Sequence, residues 1–143
     1  IGKNGLTKNK IEGDKKTPIG SFKISHLYYR KDRIKKPQTQ LHNISIKKNM
    51  GWCDDLTNKK NYNKLIKVNR NIKHEKLYRK DKKYDLLIPI KYNFNNTILG
   101  KGSCIFIHLT KNYLPTAGCI ALKEKDFLIM LKILKKNTKI KIS

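Results

Sequence analysis

One stretch of this chain carries its apolar residues at clear helical spacing. In Glu124–Lys136, Phe127, Met130, Leu131 and Leu134 fall at i, i+3, i+4 and i+7, while Lys125, Lys132 and Lys136 take the far side. Glu124 and Asp126 occupy the first turn, where the helix dipole favours acids. Elsewhere the apolar residues come in short runs, and most of these alternate. In Ile19–Tyr29, Phe22, Ile24, His26 and Tyr28 alternate with Ser21, Lys23, Ser25 and Leu27, the period of a half-buried strand. Tyr84–Phe94 is a second strand, and its internal Pro89 points to an edge position or a bulge. Thr97–Thr110, bounded by Gly100 and Gly102, is the strongest. It places Cys104, Phe106 and His108 on one face and Ile105 and Ile107 on the other. Thr138–Ser143 reads as a closing strand, residues 1–18 as turns and loop, and 72–79 as a short helix. The class is mainly β with one packed helix near the C-terminal end.

Length allows one hydrophobic core: 143 residues, 38% of them hydrophobic, suit a single globular unit and are too apolar for a disordered basic tail. No apolar run approaches the roughly 20 residues of a membrane helix. The chain begins at Ile1 with no export signal, so it reads as a mature or excised piece. The formal charge of +24 invites a nucleic-acid partner. Its make-up argues against one. Lys supplies 30 of the 34 basic residues, and with 14 Asn and 19 Ile this is a composition that AT-rich codons favour. Arginine, the residue suited to bidentate phosphate and base contacts, is scarce, and no helix-turn-helix, zinc-finger or RNA-recognition pattern is present. Three cysteines (Cys53, Cys104, Cys119) permit at most one disulfide, and no Cys-x-x-Cys pair or His cluster supplies metal ligands, so no cofactor is expected.

Two residues stand apart from this background. His108 ends the strongest strand, and Cys119 follows Gly118 eleven residues later. A thiol needs a neighbouring base to become a nucleophile, and an imidazole within reach can take its proton and return it to a leaving amine. A glycine before the nucleophile lets bare backbone approach a substrate carbonyl, so the N–H groups of Gly118 and Cys119 are candidates for an oxyanion hole. Against this stands the plainer reading of a buried apolar cysteine and a hydrogen-bonded core histidine. Spacing alone leaves both open.

The wider motif set bears on that choice. Gly102-Ser103-Cys104-Ile105-Phe106-Ile107-His108, followed by Pro115-Thr116-Ala117-Gly118-Cys119-Ile120-Ala121-Leu122, resembles the active-site signature of the L,D-transpeptidase catalytic domain (YkuD-like). Glu12-Gly13-Asp14 with Thr17-Pro18-Ile19-Gly20-Ser21-Phe22 resembles an early motif of that family. Trp52-Cys53-Asp54-Asp55 with Tyr62-Asn63 resembles elements of one branch, in which Glu75 and Tyr84-Asp85 also have counterparts. The motifs fall in the right order over nearly the whole chain. Better-known members carry His where Ala117 stands and Arg where Ala121 stands, so a substrate group that such an Arg would grip needs another partner here. The family usually begins with a strand ahead of the Gly2-Lys3-Asn4-Gly5 region, so that first strand is expected to be missing.

The resemblance implies a β-sandwich or barrel-like catalytic domain over residues 1–143, acting on peptidoglycan stem peptides in the cell envelope or periplasm. It implies Cys119 as nucleophile, His108 as base and then acid, and backbone N–H groups of Gly118 and Cys119 on the oxyanion, with a backbone carbonyl orienting the imidazole. The acyl-enzyme passes to an amine, giving a 3→3 cross-link, or to water, giving an L,D-carboxypeptidase. Ser103 and Thr116 flank this site. For Trp52, Asp54 and Asp55 two readings are open: a wall of the substrate cleft, or a structural turn whose aspartates bond local N–H groups. Glu75 and Asp85 read as partners of surrounding lysines, and Cys53 and Cys104 as buried and inert. A non-catalytic wall-binding domain and a basic nucleic-acid module are the alternatives in other function classes.

Overall fold

All the strands are short. The computed structural model describes residues 1–143 and contains β1 (Leu6–Thr7), β2 (Thr17–Pro18), β3 (Gly20–Lys23), β4 (Leu27–Tyr29), β5 (Asn43–Ser45) and β6 (Met50–Cys53). These are followed by β7 (Leu65–Lys67), β8 (His74–Lys76), β9 (Leu86–Pro89), β10 (Phe106–Leu109), β11 (Ile120–Leu122), the helix α1 (Glu124–Ile133) and β12 (Lys139–Ile142). Five strands form the central sheet, in the order β11-β10-β9-β4-β5. β9 runs antiparallel to both neighbours, pairing Ile88 with Ile107 and Leu87 with Tyr28, while β11 and β5 are parallel additions at the edges.

β4, β9 and β10 are buried along their whole lengths because both faces of the sheet are covered. On one face Ile88, Ile105, Ile107 and Leu109 pack against Phe127, Leu131 and Leu134. The period-two geometry of a strand sends the intervening residues the other way. There Tyr28, Leu87 and Phe106 meet Trp52, Leu77 and Tyr84. Trp52 belongs to a second, three-stranded sheet of order β7-β6-β8. His108, two residues after Phe106, therefore belongs to this second face, away from the helix. Two further ladders, β3 with β12 and β1 with β2, complete a mainly β molecule in which no sheet closes into a barrel.

Tertiary pairing overrides several local expectations. Ile19–Tyr29 splits into β3 and β4, which join different sheets, and Leu27, placed by alternation on the polar side, is fully buried in the main sheet between β9 and β5. Pro89 is neither at an edge nor in a bulge: β9 lies between β10 and β4, and Pro89 is its last residue. The 72–79 segment forms no helix, since His74–Lys76 is drawn into a ladder with β6, pairing Glu75 with Trp52. Of Thr97–Thr110 only Phe106–Leu109 is laddered. The helix stops at Ile133, where Leu134 turns extended and the Thr138 hydroxyl accepts the Lys135 N–H at 2.9 Å. Residues 1–18 contain the short parallel pair β1 and β2, with Thr17 and Pro18 fully buried.

Candidate active site

β10 and β11 run parallel with His108 opposite Ala121. Cys119, two residues before Ala121, is thereby set beside Phe106, whose backbone N–H donates to the Cys119 Sγ at 3.4 Å. His108 and Cys119 are both buried, at 6% and 8% exposure, yet both line one cavity of about 780 Å³. Its wall also includes Glu75, Arg79, Tyr84, Thr116 and Ala121.

The imidazole is held in one tautomer. Its Nδ1–H donates to the Leu109 carbonyl at 2.9 Å, so Nε2 is left as the basic nitrogen. The Tyr84 ring packs against it, tilted by 65° with centroids 5.3 Å apart. Burial pulls the His108 pKa below the ordinary histidine value, helped by Lys83 and Arg79, so the ring is neutral near pH 7. The thiol is neutral too. Burial pushes its pKa up to about 12, against a smaller downward pull from the Phe106 N–H. Its proton is directed to the Cys104 carbonyl, 3.1 Å away.

Gly118 is required by its surroundings. Its φ is +138°, and a Cβ there would lie 2.8 Å from the Lys16 carbonyl oxygen. Thr116 clamps the turn, its hydroxyl donating to the Cys119 carbonyl at 2.7 Å and accepting the Gly118 N–H at 3.1 Å. Of the two backbone N–H groups considered for an oxyanion, the Gly118 one is thus occupied at rest, while the Cys119 N–H has no acceptor within the chain.

The remaining site candidates lie elsewhere. Ser103 donates to Glu12 Oε2 at 2.6 Å and is outside the cavity wall. Trp52 is in the core, its indole N–H donating to Asn63 Oδ1 at 3.0 Å. Asp55 closes a turn by accepting the Thr57 N–H (2.8 Å), the Thr57 hydroxyl (2.6 Å) and the Lys73 N–H (3.0 Å). These bonds hold its carboxyl below the usual range, the Thr57 hydroxyl contributing most. Asp54 pairs with Lys73 at 3.6 Å. Neither aspartate lines the cavity.

Reading from sequence missed Arg79 and left Tyr84 without a role at the site. Arg79 donates to Glu75 at 2.7 Å and to Asp81 at 2.6 Å, and its guanidinium lies 4.9 Å over the Tyr84 ring. Glu75 and Asp85 therefore pair with arginines, not lysines, since Asp85 bonds Arg33 at 2.9 Å. Arg30 and Arg33 add bonds to the carbonyls of Arg79, Lys80 and Asp81. Three of four arginines thus fix the segment that walls the cavity, and their scarcity among 30 lysines was the available signal. All three cysteines are free thiols.

Residues 1–142 match the family model YkuD, described as the L,D-transpeptidase catalytic domain. No curated protein and no solved structure matches the chain.

Proposed function

The chain belongs to the L,D-transpeptidase catalytic-domain family, and from that premise we propose that it transfers acyl groups of peptidoglycan stem peptides through a thioester on Cys119. The observation that carries this reading is the placement of the Cys119 thiol and the His108 imidazole on one sheet face, both opening into one cavity. The free Nε2 of His108 is the acceptor such chemistry needs.

Both groups start neutral, so the ion pair forms only as reaction begins. A scissile carbonyl enters the cavity, and the S–H proton swings from the Cys104 carbonyl toward His108 Nε2 by rotation about Cβ–Sγ. The sulfur attacks the carbonyl carbon. The oxyanion falls to the unpartnered Cys119 N–H, joined by the Gly118 N–H once it leaves the Thr116 hydroxyl. The imidazolium then returns its proton to the departing amine as the C–N bond breaks. An amine from a second stem attacks the thioester, giving the cross-link and restoring the thiol. Such a substrate places the enzyme in the cell envelope.

Incubation with purified disaccharide tetrapeptides, followed by mass spectrometry of the products, tests the reading. A cross-linked dimer with loss of one D-alanine per link is expected. Tripeptide alone would make water the acceptor and the enzyme an L,D-carboxypeptidase. Unchanged tetrapeptide bound to the protein would leave a wall-binding domain without turnover.

A further inference from the structure

Three motifs far apart in sequence converge on two residues that precede β10. Glu12 accepts hydrogen bonds from the Ser103 hydroxyl, at 2.6 Å, and from Tyr62. Asn63, adjacent to Tyr62, receives the Cys104 N–H on its Oδ1 at 3.1 Å, and the same oxygen receives the Trp52 indole N–H at 3.0 Å. The other end of that amide is anchored as well, Nδ2 donating to the carbonyls of Asn93 at 2.7 Å and Tyr92 at 3.1 Å. Asn63 is 4% exposed, so each of these bonds forms out of water, where an unmade one is costly.

Both residues at this junction hold a conformation that side chains disfavour. Asn63 has φ +57° and Cys104 φ +53°. Asparagine tolerates that region, but cysteine has no such excuse, and each such residue costs on the order of 1–3 kcal/mol. The surroundings therefore impose the shape on Cys104. What that shape accomplishes is visible at its carbonyl, which accepts the Cys119 S–H at 3.1 Å.

We propose that Asn63, braced by Trp52, is a positioning residue that acts through the Cys104 backbone: it turns the Cys104 carbonyl onto the Cys119 thiol, holding the sulfur protonated and aimed until substrate arrives. The proposal rests on Cys119 being the nucleophile. It gives a role to the Trp52 and Asn63 motif residues that the catalytic step does not use. A carbonyl accepting the S–H stabilises the neutral thiol and presents its negative end to a thiolate, so it opposes ionisation in the same direction as burial does. The other groups bearing on this sulfur are His108 and Phe106 N–H from β10, Cys104 from the loop before it, Glu75 from β8 and Tyr84 from the segment before β9. Lys10 and the Ile1 amino group act from the N-terminal segment, and Glu124, at the start of α1, also lines the cavity. Of these groups only Cys104 is bonded to Asn63, so a change at Asn63 reaches the sulfur through Cys104.

The test is the pH dependence of iodoacetamide labelling of Cys119, followed by peptide mass spectrometry in the folded full chain, beside turnover of a stem tetrapeptide. Asn63→Gly keeps the left-handed backbone available and removes the amide. It is expected to move the labelling profile about one pH unit toward acid, about tenfold faster at pH 8, as loss of one bond to the neutral form would. Turnover is expected to fall about tenfold at unchanged KM, because the sulfur ionises more easily but is no longer aimed. Trp52→Phe, which removes the indole N–H and keeps a ring, should show a smaller shift of the same sign, and it decides the matter if Asn63→Gly does not fold. Labelling at the wild-type rate at every pH in these variants, or labelling and turnover falling together, overturns the inference. The labelling arm needs no substrate, so it judges this proposal alone, whereas absence of turnover in the unaltered chain counts against the reading of the site.

Discussion

Phe106 donates its backbone N–H to the Cys119 sulfur at 3.4 Å, so the strand that carries His108 also fixes the Cys119 thiol. A parallel ladder makes this possible: β11 begins one residue after Cys119 and runs beside β10 in the same direction. The spacing of Cys119 and His108 is set by sheet register, which a side-chain substitution on the surface cannot shift.

Gly118 admits no side chain. At φ +138°, with the Lys16 carbonyl oxygen 2.8 Å from where a methyl carbon would sit, Gly118→Ala combines backbone strain with a backbone clash. We expect a loss of about 2–3 kcal/mol in urea unfolding and turnover below detection. A near-wild-type midpoint would mean that the turn has room to give.

Thr116 ties the turn from inside. Thr116→Val keeps the shape and removes the hydroxyl that donates to the Cys119 carbonyl and accepts the Gly118 N–H. Steady-state kinetics should show kcat lowered about tenfold or more with little change in KM, and stability reduced by about 1 kcal/mol. A rise in KM alone would place Thr116 in substrate binding instead.

The pH response follows from two buried groups. The folded state lowers the His108 pKa from 6.5, so the unfolded chain binds the proton more readily. Stability from this group is present above about pH 6.5 and is lost as pH falls through the lower folded value. With His108 as the proposed base, which acts when neutral, the acid limb of kcat/KM should also lie below pH 6.5. The thiol, pushed up to about 12, should show no thiolate absorbance at pH 9 in the folded protein and should show it after unfolding. An acid limb above pH 7, or a thiolate signal in the native protein at pH 8, contradicts this ordering.

Phe127 is fully buried where α1 crosses beneath the main sheet. Phe127→Ala should cost about 3–5 kcal/mol by chemical denaturation, with turnover per folded molecule little changed because the site lies on the opposite face. A large loss of specific activity at full stability would show coupling through the sheet.

How much of this was legible in the sequence depends on what each residue answers to. The helix was, because Phe127, Leu131 and Leu134 obey its period and are buried together. So were the two faces of β10, since Ile105 and Ile107 do pack toward the helix and Phe106 toward the second sheet. The 72–79 segment was not, because its fate is decided by pairing with Trp52 and its neighbours, more than twenty residues away. Cys119, His108 and Thr116 line one cavity, whereas Asp55 answers to the other open reading, a local turn, and Asp54 pairs with the Lys73 side chain, which neither reading named. Arg79 belongs to none of the motifs, and its place on the cavity wall depends on side-chain bonds to Glu75 and Asp81 that spacing does not reveal.

Peptide mass spectrometry of the chain mixed with a stem tetrapeptide, quenched in acid within seconds and digested, tests the central claim most directly. The account predicts an acyl adduct on Cys119, with the D-alanine lost, that is absent in Cys119→Ala and forms far more slowly in His108→Asn. An adduct on Cys53 or Cys104, or one forming at the same rate without His108, would contradict it.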